Sequence, residues 1–229
     1  MNYIKLFFLR LVVGYRNLVE FFRVAYFYYP NRQFKRVDLY LLRCYILENP
    51  YRISKKTLQE KGSKDIYAYG ETPLTTMEKI SKKCQINTAD VVYELGSGRG
   101  RTCFWLHFFV GCQVVGVEFV PIFVKIAQKV KHRFDVRGVK FIYQDILDVD
   151  YADATVIYFY GTSSDTPFIE KLIEKLKGLP SGTKIITVSY PLTAYTKQPL
   201  FKLIKSFPAQ FSWGEAEVYL QVVNSSHKN

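Results

Sequence analysis

The sequence predicts an α/β domain built on a mostly parallel sheet and preceded by a helical segment. Three observations carry this. The apolar run 91–95 ends at Gly96-Ser97-Gly98-Arg99-Gly100, and a second apolar stretch follows at 103–110. That is the pattern of a buried strand passing through a tight turn into a helix. Apolar runs at 113–118, 139–143, 154–162 and 182–191 then alternate with helix-length stretches, as parallel strands and their crossover helices do. Last, segments 209–213 and 217–223 flank Gly214 and read as a closing antiparallel pair.

The bulk numbers fit one sizeable domain with an appendage. A chain of 229 residues buries enough core to need no disulfides. The four cysteines (Cys44, Cys84, Cys103, Cys112) and three histidines (His107, His132, His227) are scattered, which gives no case for a metal site and fits free thiols in a reducing compartment such as the cytoplasm. The formal charge of +12 is uneven. Residues 1–66 hold 13 Lys/Arg against 5 Asp/Glu, a balance of +8, so the rest of the chain carries only +4. A basic front end fits an anionic neighbour, either a membrane surface or nucleic acid, and fits a solvated basic face equally well.

Taken in order, residues 3–29 are aromatic and aliphatic but interrupted by Lys5, Arg10, Arg16, Glu20 and Arg23. No uncharged run reaches the roughly 20 residues a membrane span requires. Lys5, Arg16, Glu20 and Arg23 share one helical face, which leaves a wide apolar one. Three uses are open to it: packing on the sheet domain, lying in a membrane interface through residues 1–30, or forming an oligomer contact. Pro30-Asn31 breaks this helix, a second is predicted over 37–47 and stopped at Asn49-Pro50, and a short third over 54–61. The polar stretch 61–70 marks the boundary, giving a helical, basic, amphipathic segment (1–65), a sheet domain (66–223) and a disordered tail (224–229). Thr72 is a good N-cap and Pro73 a good first residue for a helix over 73–85. Further helices are predicted over 120–134, 165–177 and 200–206.

The glycine turn carries the chemistry. Its glycines let the backbone approach a ligand, and the helix behind it aims unpaired N–H groups at whatever sits there. The dinucleotide fingerprint spaces its glycines G-x-G-x-x-G, whereas here they fall at 96, 98 and 100 with Arg101 in the third position. This G-x-G-x-G, with Glu94 two residues ahead, resembles motif I of class I S-adenosylmethionine-dependent methyltransferases. Read with the loop Tyr69-Gly70-Glu71-Thr72 some twenty residues upstream, it resembles the non-SET histone-lysine methyltransferases of the disruptor-of-telomeric-silencing type. It also resembles the small lysine methyltransferases that modify mitochondrial carrier and ATP-synthase c-subunit proteins, which have an apolar N-terminal segment too.

The resemblance implies a seven-stranded class I sheet, mostly parallel with a C-terminal antiparallel hairpin, and S-adenosyl-L-methionine as cofactor. Gly96, Ser97, Gly98 and Gly100 would cradle it beside Glu94. Tyr69, Glu71 and Thr72 would close over its methionine portion. Glu118, which ends the second strand 18 residues past Gly100, is placed to accept the ribose hydroxyls, with Phe119 following it. Asp145 would accept a hydrogen bond from the adenine amino group, and Ile146 would pack on the ring. Tyr158, Tyr160 and Thr162 are candidates to border the acceptor channel, alternation leaving one of the two tyrosines in the core. Tyr69, Tyr160 and Tyr190 are the expected lining of that channel.

The fourth-strand exit lacks the Asn/Asp-Pro-Pro-Tyr box of base and glutamine methylation, which argues against a nucleobase acceptor. It also lacks the asparagines of the histone enzymes, so their substrate does not carry over. The function expected is methylation of lysine side chains in a protein substrate. Two readings stand beside it: a small-molecule or lipid methyltransferase at a membrane surface, and a methyltransferase-fold protein that binds without turnover.

Overall fold

The computed structural model describes residues 3–62, 65–67, 69–162 and 164–224, with the backbone alone at 3–6 and 10. Parts of the expected boundary stretch (63, 64 and 68) and the tail from 225 onward lie outside the described residues.

Three helices come first: α1 (Tyr3–Phe27), α2 (Arg32–Arg43) and α3 (Pro50–Glu60). α2 begins five residues earlier than the hydrophobic pattern predicts, because Asn31, read as part of a breaker, is its N-cap and accepts from the Phe34 N–H at 3.0 Å. It buries Phe34, Val37, Asp38 and Leu41. Asn49 caps α3 in the same way, with Pro50 just inside.

α1 is attached along its last third. Val24 and Tyr28 are buried, the Tyr28 hydroxyl donates to Glu78 at 2.6 Å, and its ring meets Trp105 and Phe109 edge-on or tilted. Phe7, Phe8, Leu11, Tyr15, Leu18 and Phe22 remain exposed over a helix about 37 Å long. No described helix is long and apolar enough to cross a membrane.

α4 (Leu74–Lys83) follows. Thr72 does not cap it. The Thr72 hydroxyl pairs with the buried Tyr158 hydroxyl at 2.6 Å, and the helix N-terminus is served from α1, where Glu20 accepts from the Thr75 N–H at 3.0 Å and its hydroxyl at 2.6 Å. A carboxylate at a helix N-terminus is favourable whichever element supplies it.

The sheet has the order β3-β2-β1-β4-β5-β7-β6. β1 (Val91–Leu95), β2 (Gln113–Glu118), β3 (Val139–Tyr143), β4 (Val156–Phe159) and β5 (Lys184–Val188) are parallel, and the hairpin β6 (Phe201–Gln210) and β7 (Glu215–Val223) joins antiparallel to β5 through β7. This is the predicted class I sheet. α5 (Arg101–Trp105) runs into a wider π turn at Leu106–Val110, α6 (Pro121–Arg133) links β2 to β3, and α7 (Thr166–Leu176) links β4 to β5.

The helix predicted over 200–206 is instead part of β6. Phe201, Phe207 and Ala209 are buried on one face at even spacing, with part- or fully exposed residues between them, and a bulge at Leu203/Lys205 interrupts the alternation. Pro208 is tolerated because β6 is an edge strand.

Alternation along the strands divides the core. Val156 and Tyr158 face the N-terminal helices, α4, α5 and α6, whereas Ile157 and Phe159 face α7. The strand order reverses between β1 and β4, so the crevice at their carboxyl ends is where an open α/β sheet takes its ligand.

Candidate active site

The turn after β1 sits in that crevice. Gly96 and Ser97 N–H groups both donate to the Val117 carbonyl at 2.9 Å, which ties the turn to β2. Gly98 takes φ +53°, and a Cβ there would come within 3.1 Å of the Tyr69 ring. The backbone and the loop above it are thus in contact because residue 98 has no side chain.

Glu118 is buried at the end of β2, and its carboxylate accepts from the Gly98 N–H at 2.7 Å and from the Phe119 and Val120 N–H groups at 2.8 Å each. Burial raises its pKa, against the lowering effect of these three donors. Glu94 is buried too. It accepts from the Thr102 hydroxyl at 2.5 and 2.7 Å and from the Cys103 thiol at 3.0 Å, and burial carries its pKa up to about 7. Ser97 is also buried, and its hydroxyl has no hydrogen-bond partner among the described residues. A glycine cradle, an orphan hydroxyl and two buried carboxylates suit a polar, cationic nucleoside derivative such as an adenosyl sulfonium.

Tyr69-Gly70-Glu71-Thr72 lies over this turn. Tyr69 packs on Phe123 and Tyr51, with ring centroids 5.1 Å apart in both cases, and its hydroxyl donates to Glu71. Glu71 is clasped by Arg99, whose Nε and Nη2 each donate to one of its oxygens at 2.5 Å. Burial opposes ionisation of Glu71, and Arg99 overrides it, holding the carboxyl below its ordinary range. Gly70 lets the loop touch Tyr160, whose ring would lie 2.8 Å from a Cβ at that position. Tyr160 stacks on Phe211, which stacks on Trp213, and Trp213 Nε1 donates to the Tyr160 hydroxyl at 2.6 Å. The cavity enclosed by loop, turn and Tyr160 measures about 20 Å³, room for a water and not for a nucleoside. Across Glu71, Thr72, Arg99 and Arg101 lies a larger cavity of about 290 Å³, bordered by Asn17, Glu20 and Phe21 of α1, Tyr51 of α3 and Ser212 of the β6–β7 turn.

The structure therefore brings together Tyr69, Glu71, Thr72, Glu94, Gly96, Ser97, Gly98 and Tyr160 around one crevice, with Glu118 behind the turn. Gly100, at φ +75°, packs on Phe141 beneath. Phe119 is part-exposed beyond Glu118 and carries the Lys61 ammonium 3.3 Å from its ring centroid. Lys61 also donates to the Phe119 carbonyl at 3.2 Å and the Tyr143 hydroxyl at 3.0 Å.

Asp145 and Ile146 sit at the exit of β3. The Asp145 carboxylate accepts from the Leu147 N–H at 2.9 Å, and the Ile146 side chain packs toward the α7 face. Tyr158 is buried in the core, but alternation does not separate it from Tyr160: two residues apart, they lie on the same face of the sheet, and Tyr160 is only part-buried past the strand end. Tyr190 is not brought to Tyr69 and Tyr160: it packs with Tyr195 in the cluster on the α7 face, and its hydroxyl donates to the Gly161 carbonyl at 2.5 Å.

Sequence reasoning missed Arg99, Arg101, Lys61, Tyr51 and Trp213. The two arginines were visible inside the turn, but their partners Glu71 and Asp38 lie 28 and 63 residues away, and local pattern carries no signal for that.

Residues 94–198, a little under half the chain, match the family model described as the ANTKMT methyltransferase domain. Among curated proteins the sequence finds no match. The fold is similar to that of an RNA methyltransferase from Salinibacter ruber solved with S-adenosyl-L-homocysteine, at 24% identity over 68% of this chain and 95% of that one, TM-score 0.57. It is similar to a methyltransferase from Pyrococcus furiosus, at 17% identity over 67% and 84%, TM-score 0.54. A geranyl diphosphate methyltransferase bound to GPP and sinefungin is similar at 12% identity over 67% and 79%, TM-score 0.54. At these identities the likeness is one of fold.

Proposed function

We propose that this chain is a class I S-adenosylmethionine-dependent methyltransferase, a reading supported by its fold and by the match of residues 94–198 to a methyltransferase family model, and that its acceptor is the side-chain amine of a lysine in a protein substrate. The observation that carries this reading is the aromatic wall around the crevice and the adjoining cavity: Phe21, Tyr51, Tyr69 and Tyr160. S-adenosylmethionine supplies a methyl group on a positively charged sulfur, a leaving group that needs no further activation.

The protein's task is then alignment and deprotonation of the acceptor. A protonated amine has no lone pair, and an apolar surround disfavours the ammonium and lowers its pKa. Burial raises the pKa of Tyr51, Tyr69 and Tyr160 alike, so these hydroxyls stay neutral and act as wall and hydrogen-bond donors, not as bases. The resemblance of the Tyr69–Thr72 loop and the glycine turn to protein-lysine methyltransferases supports the same acceptor.

A second reading, a lipid-soluble acceptor met at a membrane surface, is favoured by the exposed apolar length of α1, which borders the larger cavity through Phe21. Transfer of tritiated methyl into whole-cell lysate separates the two. The lysine reading expects label in protein bands, recovered as methylated lysine after acid hydrolysis. Label confined to the organic extract would replace it with the second reading.

A further inference from the structure

We propose that the hollow between α2 and α6 binds a small organic phosphate, whose phosphoryl groups are held by Arg36, Arg43 and Arg133. None of the residues lining it belongs to the crevice at the glycine turn.

Charge is the first argument. Arg36, Tyr40 and Arg43 stand at i, i+4 and i+7 on α2 and so share one face of that helix. Arg133 comes from the last turn of α6, and the three arginines border one open cavity of about 500 Å³ with Leu39, Tyr40 and Phe134. No carboxylate lines this cavity, and none of the three arginines has a carboxylate partner among the described residues. The acids closest to Arg36 and Arg133 in sequence are already engaged: Asp38 is paired with Arg101, and Asp135 with Arg137. Three like charges around one hollow repel each other, and an anion with two or more charges relieves that repulsion.

Geometry is the second. Arg133 lies 4.7 Å from the Tyr40 ring centroid and 5.9 Å from that of Phe134, and Arg36 lies 5.7 Å over Phe134. The two rings meet edge to face at 5.5 Å. A guanidinium held over a ring keeps its N–H groups directed outward in its own plane, the edge that grips phosphoryl oxygens in pairs. Holding these side chains in advance also lowers the ordering cost of binding.

Space is the third, and it narrows the ligand. A second cavity of about 190 Å³ adjoins the first, since Arg36 and Phe134 border both. Gln33, His107 and Phe108 also line it, offering a side-chain amide, an imidazole and a ring. Together the two cavities fall within the roughly 300–1,000 Å³ of small-ligand sites. Inorganic phosphate would leave the second cavity unused, whereas a phosphate ester fills both. The ester is either a free metabolite or a lipid headgroup, which share this chemistry.

The test is titration calorimetry on the full chain at physiological ionic strength, with S-adenosylhomocysteine in excess to compete at the glycine turn. The probes are inorganic pyrophosphate, ADP, phosphatidylcholine vesicles containing phosphatidylinositol bisphosphate, and a single-stranded oligouridine. ADP should bind saturably and about tenfold more tightly than pyrophosphate. Arg36→Gln with Arg133→Gln should weaken both at least tenfold. Arg36→Lys with Arg133→Lys, which keeps the charge without the fork, should fall between. Lys171→Gln with Lys202→Gln removes the same charge from exposed positions on α7 and β6, and should leave ADP within about twofold. Arg36 and Arg133 are exposed, so matching melting curves should show every variant folded. Vesicle binding that the paired arginine-to-glutamine variant abolishes, with ADP inert, would assign the site to a lipid headgroup.

ADP affinity unchanged in that variant would overturn the proposal. Equal losses in the lysine-to-glutamine variant would also overturn it, making the hollow part of a solvated basic surface. ADP binding no tighter than pyrophosphate would remove the second cavity from the site and refute the ester. Retention of oligouridine alone would replace the site with a nucleic-acid surface, and binding of none of the four probes would refute it outright.

Discussion

Arg99 and Arg101 stand two residues apart on one turn, and each holds a carboxylate with a bidentate fork, yet the two pairs do different work. Arg101 reaches Asp38 of α2 at 2.7 and 2.8 Å, and Asp38 accepts as well from the Tyr29 hydroxyl at 2.9 Å. Asp38 is fully buried and both of its oxygens are engaged, so the N-terminal helices and the glycine turn are fastened together there. Arg99 holds Glu71, which is part-exposed, belongs to a loop and borders a cavity on either side. Arg101 borders both cavities as Arg99 does, so the difference lies in the carboxylates: Asp38 is fully buried and lines neither cavity, whereas Glu71 lines both. A pair whose carboxylate is sealed in packing fixes a fold, and one whose carboxylate faces a cavity leaves that end open to solvent.

The largest effect should come from breaking the Arg101–Asp38 pair, whose carboxylate is fully buried. Asp38→Ala leaves Arg101 buried without its partner and should cost about 3–5 kcal/mol in denaturant unfolding. Glu71→Gln, which keeps the shape and a hydrogen-bond acceptor on a part-exposed loop, should cost less than half as much. Equal costs would erase the distinction drawn between the pairs.

Next in size is the contact beneath the loop. Gly98→Ala puts a methyl group against the Tyr69 ring at a positive φ. It should lower S-adenosylhomocysteine affinity tenfold or more and lower stability by about 1 kcal/mol. A variant that binds as wild type does would detach Tyr69 from the ligand.

The carboxylates inside the turn give a pH signature. Glu94 is raised from an ordinary 4.5 to about 7, so the folded state holds its proton more tightly than the unfolded chain does. Stability from this group is fully present below pH 4.5 and is lost as pH rises toward 7. Glu71 is shifted the other way, and its contribution is lost as pH falls below its ordinary 4.5. Glu94→Gln should therefore flatten the fall in unfolding free energy between pH 5 and 7, and Glu71→Gln should not. Parallel pH profiles for wild type and Glu94→Gln would show that Glu94 keeps an ordinary pKa.

The smallest effect belongs to α1. Phe8, Leu11 and Leu18 touch solvent, so replacing all three by serine should move the melting temperature by less than about 2 °C. Co-sedimentation with anionic vesicles should nevertheless fall sharply if this face meets a membrane. Unchanged sedimentation would leave α1 to a protein contact.

Most of the sheet was legible because its central strands are buried on both faces and read as near-continuous apolar runs, while the edge strand β3 alternates buried Val139 and Phe141 with exposed Lys140. β2 and β3 begin and end where the pattern places them. The edge strand β6 was not, since its bulge and exposed Leu203 and Ile204 imitate a helical face. In the site, the turn and Glu118 follow from a motif, but the partners do not. Thr72 looks like an N-cap until Tyr158 claims its hydroxyl, and nothing near Glu20 announces that it serves α4. Tyr190 has the right strand end and the wrong face, because it packs with the α7 cluster.

The central claim is that the turn held by Glu118 binds the methyl donor. Titrating S-adenosylmethionine into the wild-type chain and into Glu118→Ala tests it directly. The account expects saturable binding by the wild type and at least a tenfold loss in the variant, because the Gly98, Phe119 and Val120 N–H groups lose their common acceptor. No heat with the wild type, or equal affinity in both chains, would contradict it.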